Sequence, residues 1–357
     1  MAQAAAAIIL GNATQIELAI GLNTAPATPE PSAAPRQSDF DARGFALGRD
    51  YAAHGITPPV EHLHGRSPLL AGWQAGRTVF GSRTLKVRSQ TRRWLALRLA
   101  AWLKGRSFEE VQVTPNYLQQ IAVSHCPITR ETLTEEQASI DRVRDDAGYA
   151  AGNLVMMSQR ANQAKGASDF AAACEQAAIE ERSQGLTAAQ WQRVAVLESF
   201  VTELPHAQAA QLPLSVLPPN RLRLFNPIQA LQTLVTRQFM QAGWSQRLAR
   251  LQALMPEAAQ GDFNRFVLAL APRVLAAGKE ADAMTLRWAL EDAWTLELVQ
   301  KRWTRFALLL DAATAERLVQ RATQMQLSPT HVQQHDAPTA TEGWALERGG
   351  YACAAVH

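Results

Sequence analysis

The sequence predicts a mainly α-helical protein that carries a small strand-containing segment between two helical regions. Residues 169–327 are rich in Ala, Leu and Gln, with apolar side chains three and four positions apart, which is the pattern of amphipathic helices. By contrast, Ser139 to Val143 alternate polar and apolar side chains as a strand does. The chain has 357 residues, of which 47% are hydrophobic, so it can bury a core and divide into two or three domains.

Composition and periodicity divide the chain into five consecutive parts. They are a flexible N-terminal segment and Pro-, Ala- and Ser-rich linker at 1–39, a helical region with a basic helix at 40–110, the strand-containing segment at 111–168, a helical bundle domain at 169–327 and a loose tail at 328–357. In the first helical region, two short helices are expected on either side of Thr57-Pro58-Pro59. In the tail, Trp344 and Tyr351 are the side chains able to dock.

The distribution of charge says more than the net charge, which is only +3. From Arg83 to Arg106 every charged residue is basic, and Trp94 and Trp102 lie in the same stretch. Two interpretations are open. A basic helix can lie along a phosphate backbone, with Arg92 and Arg93 as contacts, or it can be an ordinary amphipathic helix with core tryptophans and solvated arginines.

Several classes of protein are disfavoured. The three cysteines are far apart and form no Cys-x-x-Cys pair, so a disulfide framework and an all-cysteine zinc site are not expected, and a reducing cytoplasm fits best. The amino end lacks the basic region of a signal peptide, and no apolar run is long enough to span a membrane. His62 and His64 have no acidic or cysteine partners at ligand spacing and are predicted to be loop residues.

The segment from Ser139 to Gly166 reads SIDRVRDDAGYAAGNLVMMSQRANQAKG. A first strand at Ser139 to Val143 is followed by a polar loop, and Leu154 to Met157 are predicted to form a second strand. Ser158 then has the residue type of a helix N-cap, ahead of a short helix that carries Asn162 and Lys165. The predicted order is strand, loop, strand, helix.

This segment resembles the HNH, or ββα-metal, endonucleases, in the variant common among phage and mobile-element proteins. The matching elements occur in the family's order, between Cys126 and Gly166 only. They are Cys126-Pro127-Ile128-Thr129, Ser139-Ile140-Asp141-Arg142-Val143, Gly148-Tyr149, Gly152-Asn153-Leu154 and Asn162-x-x-Lys165-Gly166.

The resemblance implies a fold and a set of roles. It implies a ββα-metal module in which Asp141 and Asn162 hold one Mg²⁺ or Mn²⁺ ion, and both present the oxygen atoms that such ions prefer. By the same resemblance the Asn153 amide fixes the loop, and Lys165 contacts a phosphate. Arg142 and Arg160 are further candidates for contact with DNA.

Two departures from the family pattern matter. The positions of the zinc-binding cysteines are Cys126, Thr129, Ser158 and Ala161 here, so no structural zinc is expected and apolar packing has to replace it. Arg142 stands where a general-base histidine is usual, and a guanidinium cannot be deprotonated at working pH.

Three accounts of Arg142 remain open. It clamps the phosphate while another group, with His125 nearest in sequence, takes the proton. Alternatively, metal-bound hydroxide suffices at a lower rate. In the third account the module is degenerate and only binds nucleic acid.

The expected function is therefore a cytoplasmic, metal-dependent endonuclease acting on DNA more than RNA, in a phage, mobile-element or anti-phage context. One alternative is a catalytically degenerate DNA-binding adaptor. Another is a scaffold in which the C-terminal helical domain binds partner proteins. A membrane partner is not expected.

Overall fold

The computed structural model describes residues 37–276, 282–327 and 337–353. The flexible segment predicted at the amino end lies almost wholly outside these residues. The described part of the chain is mainly helical, and its only sheet is a small antiparallel pair of strands, as the sequence predicts. No helix in these ranges combines the length and the apolar character needed to cross a membrane.

The described residues divide into two compact units. The smaller unit comprises 37–122, 145–155 and 341–353, and the larger unit comprises 123–144, 156–276, 282–327 and 337–340.

Helices dominate the smaller unit. They are α1 (Gln37–Ala53), a 3-10 helix (Val60–His62), α2 (Pro68–Phe80), α3 (Ser89–Leu103), α4 (Pro115–Gln120) and a second 3-10 helix (Leu346–Arg348). The two helices predicted around the Thr57-Pro58-Pro59 turn are thus α1 and α2.

Close packing of α1 on α2 depends on small residues. A Cβ atom added to Gly72 would lie 1.9 Å from the carbonyl oxygen of Phe45, so only glycine allows the two backbones to approach this closely. Trp94 and Trp102 of α3 are buried, and their indole N–H groups donate to the carbonyls of Val113 and Phe40. These two tryptophans belong to the core.

The larger unit begins with β1 and continues as a set of helices. Its elements are β1 (Ala138–Arg142), the last three residues of β2 (Leu154–Ser158), α5 (Gln159–Lys165), α6 (Phe170–Ala178), α7 (Ala188–Ser199), α8 (His206–Gln211), α9 (Pro227–Phe239), α10 (Trp244–Gln252), α11 (Glu257–Ala276), α12 (Ala283–Ala293), α13 (Glu297–Ala307), α14 (Ala312–Gln324) and α15 (Ala337–Ala340).

An aromatic cluster forms the core between α11 and α13. Phe266 lies 5.1 Å from the ring of Trp294 and 5.1 Å from that of Trp303, measured between ring centroids. The indole of Trp294 donates to the hydroxyl of Thr236 over 3.0 Å, so its one polar atom is satisfied inside the core. These tryptophans are core residues rather than parts of a ligand cage.

The end of the described chain packs into the smaller unit. Trp344 is fully buried, and its indole donates to the carbonyl of Ala151 over 3.0 Å. Tyr351 lies against Arg106, whose guanidinium carbon is 4.1 Å from the ring centroid. The sequence predicts a loose tail in which Trp344 and Tyr351 are able to dock. In residues 341–353 both side chains are docked.

Candidate functional site

Two strands and a helix occupy the places that the sequence predicts for them. β1 runs from Ala138 to Arg142, β2 from Leu154 to Ser158, and α5 begins immediately after it. The hydroxyl of Ser158 accepts a hydrogen bond from the backbone N–H of Ala161 over 3.2 Å, which is the predicted N-cap. The predicted order of elements in this segment is confirmed.

Helix α5 packs on one face of β1. Asn162 donates from Nδ2 to the hydroxyl of Ser139 over 2.7 Å. Because side chains alternate along a strand, Ser139 and Asp141 lie on the same face of β1. The amide of Asn162 is therefore on the side of the strand from which the Asp141 carboxylate projects.

Lys165, one turn further along α5, points at the same face and is wholly buried. Its ammonium donates to the carbonyl of Arg142 over 3.0 Å and lies 3.3 Å from Oδ2 of Asp141. A second carboxylate, Glu198 of α7, lies 3.7 Å from the same ammonium. In this arrangement Lys165 bonds to protein oxygens, and contact with an outside phosphate requires its side chain to move.

Glu198 is an unusual member of this cluster because it is 2% exposed and, among the residues that the structure describes, pairs with the Lys165 ammonium alone. Neither of its carboxyl oxygens accepts a hydrogen bond from the described residues. Burial raises the pKa of Glu198 well above its ordinary value, while Lys165 acts in the opposite direction. The cluster of Asp141, Lys165 and Glu198 thus contains one cation and two acidic side chains, and burial raises the pKa of one of these, Glu198.

Three of the four positions that hold zinc in cysteine-bearing HNH endonucleases, Cys126, Thr129 and Ser158, lie together. The thiol of Cys126 accepts from the backbone N–H groups of Thr129 and Ser158, over 3.4 and 3.3 Å. The hydroxyls of Thr129 and Ser158 are 3.5 Å apart, and Ser158 in turn caps Ala161. Hydrogen bonds and close packing therefore join these positions across 32 residues of chain.

The loop between the strands belongs to the smaller unit. Asn153 is completely buried and donates from Nδ2 to the carbonyl of Gly148 over 3.1 Å. This bond closes the loop, which is the geometry that the role implied for Asn153 requires. The hydroxyl of Tyr117 accepts from the backbone N–H of Gly152, so the glycine beside Asn153 is also fixed.

His125 and Arg142, the two residues considered for proton transfer and phosphate contact, differ in their surroundings. His125 bonds to the hydroxyl of Ser124 over 3.0 Å, and its ring lies edge-on to Trp288, 5.3 Å between centroids. Strand alternation directs the half-buried side chain of Arg142 to the face of β1 opposite Asp141.

The remaining predicted DNA contacts lie elsewhere. Arg160 of α5 is about half exposed and lies 3.5 Å from the carboxylate of Glu131, at 45% and 42% side-chain exposure. Arg92 and Arg93 are in α3 of the smaller unit, where Arg92 is exposed and Arg93 is half-buried.

β1 and α5 carry donor atoms of the chemical type that divalent cations such as Mg²⁺ bind. Asp141 and Asn162 offer oxygen atoms from two facing elements, as hard cations prefer. The ammonium of Lys165 competes for the same carboxylate. Within the ranges that the structure describes, no three His, Cys, Asp or Glu side chains form a group able to hold a metal ion.

Two residues that contact the predicted site residues were not predicted from the sequence: Ser139, beside Asn162, and Glu198, beside Lys165. Ser139 was assigned to the strand but not to the site, although it shares its face with Asp141. Glu198 stands among apolar residues in "VAVLESF", and an acidic side chain in such a run is a signal of a buried, paired carboxylate.

Comparison with protein-family models, with curated proteins and with solved structures gives no match to this chain.

Proposed function

We propose that the protein is a metal-dependent endonuclease that hydrolyses phosphodiester bonds in DNA through a ββα-metal module at residues 126–166. One observation carries the proposal: Cys126, Thr129 and Ser158, three of the four positions aligned with zinc ligands, lie within hydrogen-bonding distance of one another. The hydrogen bond between Cys126 and Ser158 is a contact in space, whereas the resemblance rests on the spacing of motifs along the sequence, so the two are separate arguments. The order of strands and helix supports the same assignment.

Each residue has a proposed task. Asp141 and Asn162 would hold the ion, and Asn153 fixes the loop behind β2. A bound Mg²⁺ or Mn²⁺ ion acidifies its water and neutralises charge on the phosphate. Arg142 cannot act as a base, and its side chain lies on the face of β1 opposite Asp141, so its proposed task is to donate to a phosphate oxygen of the DNA away from the ion.

The setting of this activity is also part of the proposal. The substrate is double-stranded DNA rather than RNA, and the compartment is the cytoplasm, in a phage, mobile-element or anti-phage context. The three free cysteines, Cys126, Cys174 and Cys353, agree with a reducing compartment.

A second candidate function is DNA binding without cleavage. It is favoured by the ion pair between Lys165 and Asp141, which neutralises the carboxylate proposed as a metal ligand. In a module in which the lysine keeps this position, Asp141 would hold no ion and DNA would not be hydrolysed, and phosphate contact would fall to other cations such as Arg160.

Nicking of supercoiled plasmid by the full chain, with Mg²⁺ or Mn²⁺ and with EDTA, tests the proposal. Asp141→Asn and Asn162→Ala should each lower the rate at least about tenfold, because the first removes the negative charge of one proposed ligand and the second removes the oxygen donor of the other. Gln163→Ala is the matched control, since Gln163 is the exposed neighbour of Asn162 on the same helix.

Two outcomes would count against cleavage. One is nicking that persists in EDTA or in both Asp141→Asn and Asn162→Ala, which would point to a contaminant or another site. The other is retention of DNA by a wild-type protein that never nicks it, which would favour the second candidate.

A further inference from the structure

The smaller unit contains an unusual run of sequence. Between Glu61 and Glu109 the chain has ten Lys and Arg residues and no Asp or Glu. A domain of this size normally intersperses both signs of charge on its surface. The structure shows which of these cations are used inside the unit and which are not.

Two of the cations have internal partners. Arg98 is 5% exposed and pairs with the carboxylates of Asp50 and Glu110, with its guanidinium also lying over the ring of Trp94 at 4.7 Å. Arg106 pairs with Asp145 and donates to the carbonyl of Gly349. These two arginines hold the unit together, so Arg98 is not available to a partner even though it lies on the basic helix.

Four other cations have no such role. Arg83, Lys86, Arg88 and Arg92 are exposed, and none of them forms an ion pair with any residue that the structure describes. They fall within ten consecutive positions of the chain. We call these four residues the basic surface.

The basic surface is held in place. The segment before α3 is fixed by a hydrogen bond from the backbone N–H of Leu85 to the carbonyl of Ala53, over 2.8 Å. Arg88 and Arg92 are one helical turn apart, since the N–H of Arg92 donates to the carbonyl of Arg88. This bond keeps Arg88, the extended residue before α3, next to the first turn of the helix.

The position of these charges in α3 is electrostatically unfavourable. Arg88 is the N-cap residue, Arg92 follows within the first turn, and no acidic residue occurs in that turn. The N-terminus of a helix carries a partial positive charge, so cations there repel it and an anion is favoured. Fixed, uncompensated cations at this end of a helix indicate an anionic partner.

We propose that the basic surface of Arg83, Lys86, Arg88 and Arg92 binds the phosphate backbone of a nucleic acid. This inference extends the proposed function, because it names a surface that holds the nucleic acid, but its test uses binding alone. Lys and Arg that contact phosphates release counterions, which makes the affinity depend strongly on salt.

A membrane surface is the less suitable partner. A helix that lies on a membrane needs a free apolar face. The apolar face of α3 is already used, because Trp94, Leu95 and Leu99 are buried in the smaller unit.

The test is fluorescence anisotropy with a labelled DNA duplex of about 20 base pairs, at several salt concentrations around 100 mM, in EDTA so that cleavage cannot occur. The variant carries Arg83→Gln, Lys86→Gln, Arg88→Gln and Arg92→Gln. We expect it to bind at least about tenfold more weakly, and the salt slope to fall by about 2 to 4. Replacing the three arginines by lysine keeps the charge and should keep most of the affinity.

The matched control removes the same charge from another surface, through Gln at the exposed residues Arg250, Lys301, Arg317 and Arg321. It should bind like the wild type, and melting curves of both variants should resemble that of the wild type. Equal loss of binding in the two variants, or no loss in the first, overturns the proposal. Binding to vesicles containing phosphatidylserine without binding to the duplex overturns it as well. Because EDTA is present, failure here is distinct from failure of the nicking assay.

Discussion

The ammonium nitrogen of Lys165 lies 3.3 Å from Oδ2 of Asp141, and the exposed fractions of the two side chains are 0% and 8%. This pair joins α5 to β1 inside the larger unit. Because the pair is buried, removal of one side chain leaves the charge of the other without a partner in the interior, which costs free energy of folding.

Replacement of the lysine should therefore destabilise the protein strongly. We expect Lys165→Met to lower the free energy of unfolding by about 3 to 5 kcal/mol, since the Asp141 carboxylate loses its buried cation. Urea unfolding measures this. Lys301→Met, at an exposed lysine, should change stability by less than about 0.5 kcal/mol, and a similarly small effect at Lys165 would contradict the buried pair.

The pH dependence of stability should report on Glu198. Burial raises the pKa of this carboxyl in the folded protein, so the folded state binds the proton more tightly than the unfolded chain does. The stability that this tighter proton binding adds is fully present below the pKa that Glu198 has in the unfolded chain. It is lost as the pH rises through the pKa that Glu198 has in the folded protein.

Glu198→Gln imitates the protonated form, so it should match the wild type near pH 4.5 and become the more stable of the two as pH rises toward about 8. Urea unfolding at these pH values tests this. Glu203→Gln, at an exposed carboxylate five positions further on, separates the effect of burial from that of simply removing a charge. A wild type that stays the more stable protein at high pH would show that Glu198 is held as a carboxylate.

Cysteines introduced at the positions that align with the zinc ligands of HNH endonucleases should create a zinc site. With Cys126 already present, Thr129→Cys, Ser158→Cys and Ala161→Cys complete a set of four thiolates, three of them at positions that hydrogen bonds already join and the fourth three residues after Ser158. We expect about one tightly bound zinc ion per chain. Loss of the Ser158 cap costs about 1 kcal/mol, which zinc binding should more than offset.

Metal analysis of the purified triple variant checks the zinc content. The control adds Cys126→Ser to the triple variant, which removes one ligand and should weaken binding markedly. Equal zinc content in the two proteins would mean that the four positions do not form a common site.

The docked end of the smaller unit depends on a close approach at Gly350. This residue has a φ of +76°, and a Cβ atom there would lie 2.4 Å from the carbonyl of Ala147. Gly349 also has positive φ, at +60°, but a Cβ atom there would meet nothing closer than 3.9 Å.

The two glycines form a matched pair. Gly349→Ala should cost about 1 to 2 kcal/mol, because alanine disfavours positive φ, and Gly350→Ala should cost clearly more because it adds a clash. Thermal unfolding followed by tryptophan fluorescence compares them. Equal losses would show that the backbone of Ala147 can move aside.

The sequence predicted those parts of the site that depend on neighbouring residues. Alternation predicted β1, and the serine before an Asn- and Lys-bearing segment predicted the N-cap and start of α5. The helical character of residues 169–327 was predictable for the same reason, since periodicity is local.

Contacts between distant residues were not predictable in this way. Glu198 reaches Lys165 from a helix 33 positions later, and nothing in the spacing of either residue specifies the other. The exposure of Arg92 and the burial of Arg98 depend likewise on which face of α3 the rest of the unit covers. Such facts arise from packing.

The docking of Trp344 on Ala151 has a consequence for the synthesis of the protein. The two residues are 193 positions apart, so at about 5 to 20 residues per second the ribosome needs on the order of 10 to 40 s to make the partner of Ala151. Until then the segment with Gly148 and Asn153 lacks the indole that covers it. A message that stops before codon 344 therefore yields a protein whose smaller unit lacks this indole and its bond to Ala151.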